Sequence, residues 1–146
     1  MNIDRRYINQ IEVLTNIFTL DKGNLKVYLI KRTSEPYKGY WMLPSNLLMT
    51  TETIDECAQA TVLDFLGIQD IYLKQCNIFS KIDRLPNDRI LGNSLIGLVN
   101  EASLLKKRKT IYEGVWFSID EIPKMVFDHG TILKDCIEHL KECLTN

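Results

Sequence analysis

The sequence predicts an α/β or α+β architecture, with a mixed β-sheet carrying helices on both faces. Three observations carry that prediction. The first 32 residues hold two β-rich runs joined by turn chemistry, the middle holds a helix with sequence signals at both ends, and the last stretch before Asn146 is amphipathic at helical spacing.

In chain order, Ile11, Val13, Thr15 and Ile17 alternate with Leu14, Phe18 and Leu20, the period-two pattern of a long strand. Asp21-Lys22-Gly23-Asn24 reads as a turn and Leu25 to Arg32 as a second strand, so the two predict a hairpin. Ser34 to Tyr40 holds a proline and a glycine and reads as a loop. Trp41 to Pro44 reads as a short extended segment stopped by its proline. Thr53-Ile54-Asp55-Glu56 has the form of a capping box, with the threonine hydroxyl accepting from the Glu56 amide while the glutamate reaches back. Ile54, Cys57, Ala58, Val62 and Phe65 then recur at helical spacing, and Gly67 supplies a left-handed stop. Ile71 to Phe79 and Ile90 to Val99 read as strands around a loop from Asp83 to Arg89. Gly114 to Phe117 is a further short strand, followed at Ser118 to Pro123 by a capped turn of helix. Ile132, Leu133, Cys136, Ile137, Leu140 and Leu144 mark the final amphipathic helix.

Composition narrows the classes. With 146 residues, 45% of them hydrophobic, the chain is expected to be one domain, 1–146. At this size a chain hides roughly 68–70% of its unfolded surface, so a core forms without staples. Eighteen basic against nineteen acidic residues leave a formal charge of −1, which speaks against non-specific nucleic-acid binding. No apolar run approaches the length of a membrane span, and the start, Met1-Asn2-Ile3-Asp4-Arg5-Arg6, lacks the apolar stretch of a secretory signal; a cytoplasmic location is expected. Cys57, Cys76, Cys136 and Cys143 form no C-x-x-C pair and read as small buried hydrophobes, Cys136 and Cys143 sharing a helix face. His129 and His139 stand apart, with no metal spacing. Lys106-Lys107-Arg108-Lys109 is the one charge block and reads as a solvated loop, with binding of an anionic partner as the alternative.

The order hairpin, W-x-L-P, Glu52, helix and Gly-Ile resembles the Nudix (MutT-like) domain. The family's signature, Gly, five residues, Glu, seven residues, Arg-Glu-hydrophobic-x-Glu-Glu-x-Gly-hydrophobic, falls without a gap on Asn46, Glu52 and the run Ala60 to Ile68; Glu52, Val62, Gly67 and Ile68 match it. Glu113 to Pro123, EGVWFSIDEIP, is similar to the family's E-x-x-W-F-x-x-D-E-L-P segment. The resemblance spans about Gln10 to Leu144 and implies an α/β/α sandwich.

It also implies Mg²⁺ as cofactor, held on a substrate diphosphate by carboxylates three and four residues apart on one helix face. Here those positions hold Thr61, Asp64 and Phe65, and the arginine position holds Ala60. One carboxylate of three remains, so the catalytic and metal candidates shrink to Glu52 and Asp64, and Asp64 reads equally as a solvated surface acid. Glu56 lies eight residues before Asp64, about 12 Å along a helix. The match places the Phe65 ring at the pocket; a Phe65 buried in the core would mean that this register, and with it the ligand count, is wrong. Asn46 replaces a glycine whose φ is expected to be positive, which Asn tolerates.

Ile82 to Val99 is similar to the D-R-D-P-R-G-R-x-x-S segment of Nudix domains acting on ADP-ribose, with Asp83, Arg84, Pro86, Arg89 and Ser94 fitting it. Val126 to Leu133, VFDHGTIL, resembles the A-F-D-H-x-x-I-L that opens the last helix there. Both features are shared by Nudix-related transcriptional regulators of NAD metabolism, which bind ADP-ribose-type ligands and carry a winged-helix domain after the Nudix domain. No such domain precedes Asn146, so direct nucleic-acid contact is not expected. The resemblance suggests Arg32, Arg84 and Arg89 for a diphosphate, against the alternative of surface charges. Tyr37, Tyr40 and Trp41 are suggested for stacking an adenine, against a core role for Trp41. The expected function is a catalytically silent nucleotide-binding sensor or regulatory module; the alternatives are a Mg²⁺-dependent hydrolase with an atypical site using Glu52 and Asp64, and an interaction protein keeping only the fold. A homodimer is common in the family, and no residue locates its interface.

Overall fold

A computed structural model describes residues 7–145; the N-terminal reading of residues 1–6 and the side chain of Leu144 lie outside its described part. The elements are β1 (Ile11–Asp21), β2 (Asn24–Lys31), β3 (Trp41–Met42), β4 (Ser45–Leu47), α1 (Ile54–Leu66), β5 (Leu73–Phe79), β6 (Leu91–Leu98), α2 (Glu101–Leu105), β7 (Gly114–Ser118) and α3 (His129–Thr145).

The strands form one mixed sheet of order β3-β2-β1-β6-β5, with β4 added to β1 and β7 to β2. β1 and β2 pair from Phe18↔Val27 to Asp21↔Asn24 around a two-residue turn in which Lys22 and Gly23 both have positive φ, 52° and 83°. That turn matches the right-handed twist of its strands, so the hairpin is locally encoded. β1 and β6 run parallel from Ile11↔Leu91 to Phe18↔Leu98. Parallel neighbours need a long crossover, and it runs through α1 and β5.

Both sheet faces are covered. Val13, Ile17, Tyr28 and Ile30 point to α1, packing with Cys57, Ala58, Val62, Phe65 and Leu66. Leu14, Phe18, Val27 and Leu29 point to α3, packing with Ile132, Leu133, Cys136 and Leu140. Each fully buried aliphatic or aromatic side chain contributes about 1.5–3 kcal/mol, which is why β1 is apolar on both sides. The capping box of α1 is complete, with Thr53 Oγ1 accepting from Glu56 N at 3.1 Å and Glu56 Oε1 from Thr53 N at 2.9 Å. Gly67 closes the helix at φ 72°, and a Cβ there would run into the Arg108 carbonyl.

Four expectations need correction. β4 and α2 are three and five residues long and went unforeseen. Ser118 to Pro123 is a single turn rather than helix, closed by Glu121 N donating to Ser118 O at 3.0 Å. Asn46 is extended, paired with Val13 in β4, so its position asks for no positive φ. Cys143 is exposed although Cys136, seven residues earlier, is fully buried. No described helix is long and apolar enough to cross a membrane.

Candidate functional site

The inward face of α1 is Cys57, Thr61 and Phe65, spaced four apart and therefore stacked over one another. Thr61 is fully buried; its Oγ1 donates to Cys57 O at 2.7 Å and accepts from Asn46 Nδ2 at 3.0 Å, tying β4 to the helix. Phe65 is 6% exposed and belongs to the core cluster with Tyr28 and Val62, so it does not line an open pocket as expected. Tyr112 lies on its ring at 4.2 Å between centroids, and the loop bringing Tyr112 is pinned by Arg108 N donating to Gly67 O at 2.8 Å. Lys107 Nζ sits 5.8 Å over the Tyr28 ring, so part of the basic run folds onto this face. The burial of Phe65 counts against the register set by the sequence, while the left-handed cap at Gly67, on the signature's glycine, counts for it.

The two candidate carboxylates are not brought together. Glu52 Oε1 accepts from Met49 N at 3.1 Å. Burial first, and then the Glu52 carboxylate, push the Cys57 thiol up to about 11, which places Glu52 against Cys57. Asp64 is exposed and lies seven residues beyond Cys57, about 10 Å along the axis. The inward face thus offers a thiol, a hydroxyl and an aromatic ring, and no carboxylate. That donor set does not fit Mg²⁺, which takes oxygen ligands at about 2.0–2.1 Å in an octahedron.

Arg84 is placed differently from expectation. Its side chain is 1% exposed and closes a buried ion-pair set: Nε donates to Asp128 Oδ2 at 2.8 Å, and Nη2 to Asp128 Oδ1 at 3.1 Å and to Glu12 Oε1 at 2.9 Å, while Nη1 donates to Ile90 O at 3.1 Å. Burial would weaken its hold on the proton, but Asp128 and Glu12 more than offset this and keep its pKa above the ordinary value. With four of its five N–H groups engaged it anchors β1 to the start of α3, and it lines the cavity beside Lys81. Neighbouring His129 is buried, and its Nδ1 accepts from Leu43 N at 3.0 Å; burial holds its pKa below the ordinary 6.5.

Arg32, Tyr37 and Tyr40 do come together. Arg32 Nε donates to Pro36 O at 2.6 Å and Ser34 O at 3.2 Å, and its guanidinium lies 5.8 Å over the Phe127 ring. Tyr37 packs on Tyr40 at 5.4 Å and on Phe127 at 5.2 Å. Tyr37 and Phe127 both have positive φ, 66° and 46°, an uncommon backbone conformation for aromatic residues that costs of the order of 1–3 kcal/mol each. Phe127 went unnoticed as a site residue, although its left-handed neighbour-to-helix position follows the F-D-H motif. Trp41 instead turns to the α3 side, edge-on to Phe117 at 4.7 Å, in a core role. Arg89 is exposed, its Nη1 donating to Lys81 O at 3.3 Å. A cavity of about 450 Å³ opens between Phe127, Asp128, Thr131 and the loop of Ser80, Lys81 and Asp83.

This geometry, a mixed sheet between α1 and α3 with Asn46 bonded to Thr61, is the Nudix (MutT-like) fold. The Nudix domain of Shewanella oneidensis NrtR, solved with ADP-ribose, matches with a TM-score of 0.77 at 19% identity, over 92% of this chain and 90% of that one. A MutT/Nudix protein from Listeria innocua matches at 0.78 and 20% identity, over 96% and 99%. Among curated proteins, an ADP-ribose pyrophosphatase of Methanocaldococcus jannaschii is 28% identical over 80% of this chain and 68% of its own length. The ADPR-responsive transcriptional repressor NtrR of Acinetobacter baylyi is 27% identical over 85% of this chain, which spans about half of that repressor. No family model matches the chain.

Proposed function

We propose that this Nudix-fold domain binds a nucleoside-diphosphate ligand of the ADP-ribose type without hydrolysing it, as a sensor or regulatory module. The observation that carries this reading is the inward face of α1, where Thr61 and Phe65 stand in place of carboxylates and Tyr112 roofs the ring. Water activation by a metal needs charge there, and aromatic packing excludes it. Binding asks for less: a guanidinium for the diphosphate and aromatic faces for the base, which Arg32, Tyr37, Tyr40 and Phe127 supply. Two relatives whose names refer to ADP-ribose, one a repressor, support the ligand class.

The pyrophosphatase relative favours the second reading, hydrolysis with Mg²⁺ through Glu52 and Asp64. Calorimetric titration of ADP-ribose with Mg²⁺ and again with EDTA separates the two. The sensor reading expects saturating heat in both conditions and intact ADP-ribose afterwards. Sustained, EDTA-sensitive heat that Asp64→Asn abolishes would overturn it in favour of hydrolysis. Absence of heat in both conditions would overturn the ligand class itself and leave an interaction protein.

A further inference from the structure

Three of the four cysteines and one of the two histidines meet at the junction of β5 with the second half of α3, on the sheet face opposite α1. The strand is irregular there. Successive residues of a regular strand point to opposite faces, but β5 carries a bulge between Gln75 and Ile78. Both intervening residues turn to one carboxylate: Cys76 Sγ lies 4.0 Å from Asp135 Oδ2, and Asn77 Nδ2 donates to the same oxygen at 2.8 Å. Re-aiming a side chain is what a bulge does.

Cys76 Sγ, Cys136 Sγ and an Asp135 oxygen all lie within 4.8 Å of one another, the one group of three such ligands among the described residues. A tetrahedral ion with metal–sulfur bonds of about 2.3 Å and metal–oxygen bonds of about 2.0–2.2 Å holds its ligands about 3.5–3.8 Å apart. Adjustments of about an ångström therefore close the set. His139 lies four residues after Asp135 on the same helix face, but its Nδ1 is bonded to Asp135 O at 2.9 Å and the ring stands outside the three-ligand group. A groove of about 280 Å³ lined by Cys76, Ile96, His139, Leu140 and Cys143 reaches Cys76, while Cys136 is buried.

We propose that this junction binds a thiophilic divalent cation of zinc chemistry, held by Cys76, Asp135 and Cys136, with water in the fourth position. Binding breaks two S–H bonds, sends two protons to solvent and forms two sulfur–metal bonds, with no change of oxidation state. Two sulfurs and an oxygen select such an ion over Mg²⁺.

Titration of the reduced full chain with Co(II), followed by Zn(II), tests this. The expected result is one equivalent giving thiolate-to-metal charge-transfer absorption with intense tetrahedral d–d bands, all lost on adding Zn(II). Cys76→Ser removes charge-transfer intensity, and Cys57→Ser on α1 leaves the spectrum unchanged. Asn77→Ala, which loses only the bond orienting Asp135, weakens binding about 10–100-fold and keeps the band positions. Absence of the charge-transfer band overturns the proposal, as does a band that survives both Cys76→Ser and Asp135→Asn or vanishes with Cys143→Ser alone. Should Cys76→Ser fail to fold, Asp135→Asn at its partly exposed position is expected to weaken Co(II) binding, read as a lower affinity in the same titration, and unchanged affinity overturns the proposal.

Discussion

The rings of Phe65 and Tyr112 lie with centroids 4.2 Å apart and planes tilted by 32°. One comes from the last turn of α1, the other from the loop between α2 and β7, and Thr110 Oγ1 donates to Phe65 O at 3.5 Å beside them. The last turn of α1 is thereby covered with aromatic surface, and its packing contributes to stability.

Phe65→Ala is expected to cost about 3–5 kcal/mol, the range for a large aromatic side chain removed from a core. The change appears as a lower urea midpoint with the slope kept. Phe65→Glu, which restores a family carboxylate, buries an unpaired charge instead and destabilises at neutral pH. A Phe65→Glu protein as stable as the parent would contradict the packing described here.

Arg84→Met is expected to cost about 3 kcal/mol, the lower end for a broken buried ion pair, because Glu12 and Asp128 keep some exposure to water. Arg84→Lys loses the two-pronged bond to Asp128 and recovers only part. Because four of the five guanidinium N–H groups already hold protein oxygens, neither variant is expected to change ADP-ribose affinity by more than its effect on folding; a large selective loss of affinity in a folded Arg84→Lys protein would return Arg84 to the ligand.

His129 gives a pH dependence of definite sign. Its folded pKa is lowered by burial, so the unfolded chain takes up the proton first as pH falls through the ordinary 6.5. Stability is complete above that value and declines below it until the folded pKa is reached. The urea midpoint is expected to fall between about pH 7 and about pH 5. In His129→Gln, whose side-chain oxygen can still accept from Leu43 N, that slope is expected to flatten. An unchanged slope would mean other groups cause it.

Local signals were the legible ones. The Lys22–Gly23 turn and both ends of α1 are written within a few adjacent residues, and the structure reproduces them. β4 and α2 are too short to carry a period, and β4 exists through its pairing with Glu12 to Leu14 far earlier in the chain. Arg84 read as a diphosphate ligand or else a surface charge because its partners, Glu12 and Asp128, stand 72 and 44 residues away. Sequence cannot say which charge is buried when the compensating charges are that remote. Phe127 was hidden for a related reason, since only the folded β2–β3 loop brings Arg32 and Tyr37 against its ring.

That aromatic cluster makes the final prediction. Arg32 keeps its loop together through Nε alone, so Arg32→Lys loses the two loop bonds as well as a planar cation, whereas Tyr37→Phe leaves both rings packed. If the cluster holds the ligand, Arg32→Ala weakens ADP-ribose binding about tenfold or more, the scale of one charge-assisted contact to a phosphate. Tyr37→Ala weakens it by a similar factor through lost stacking, about 1–3 kcal/mol per base, while Tyr37→Phe and Arg89→Ala change it little. Titration calorimetry on the four proteins reads these differences directly. Equal affinity in Arg32→Ala and the parent would move the binding site elsewhere, to the cavity beside Lys81 and Thr131, where Lys81→Ala becomes the discriminating variant.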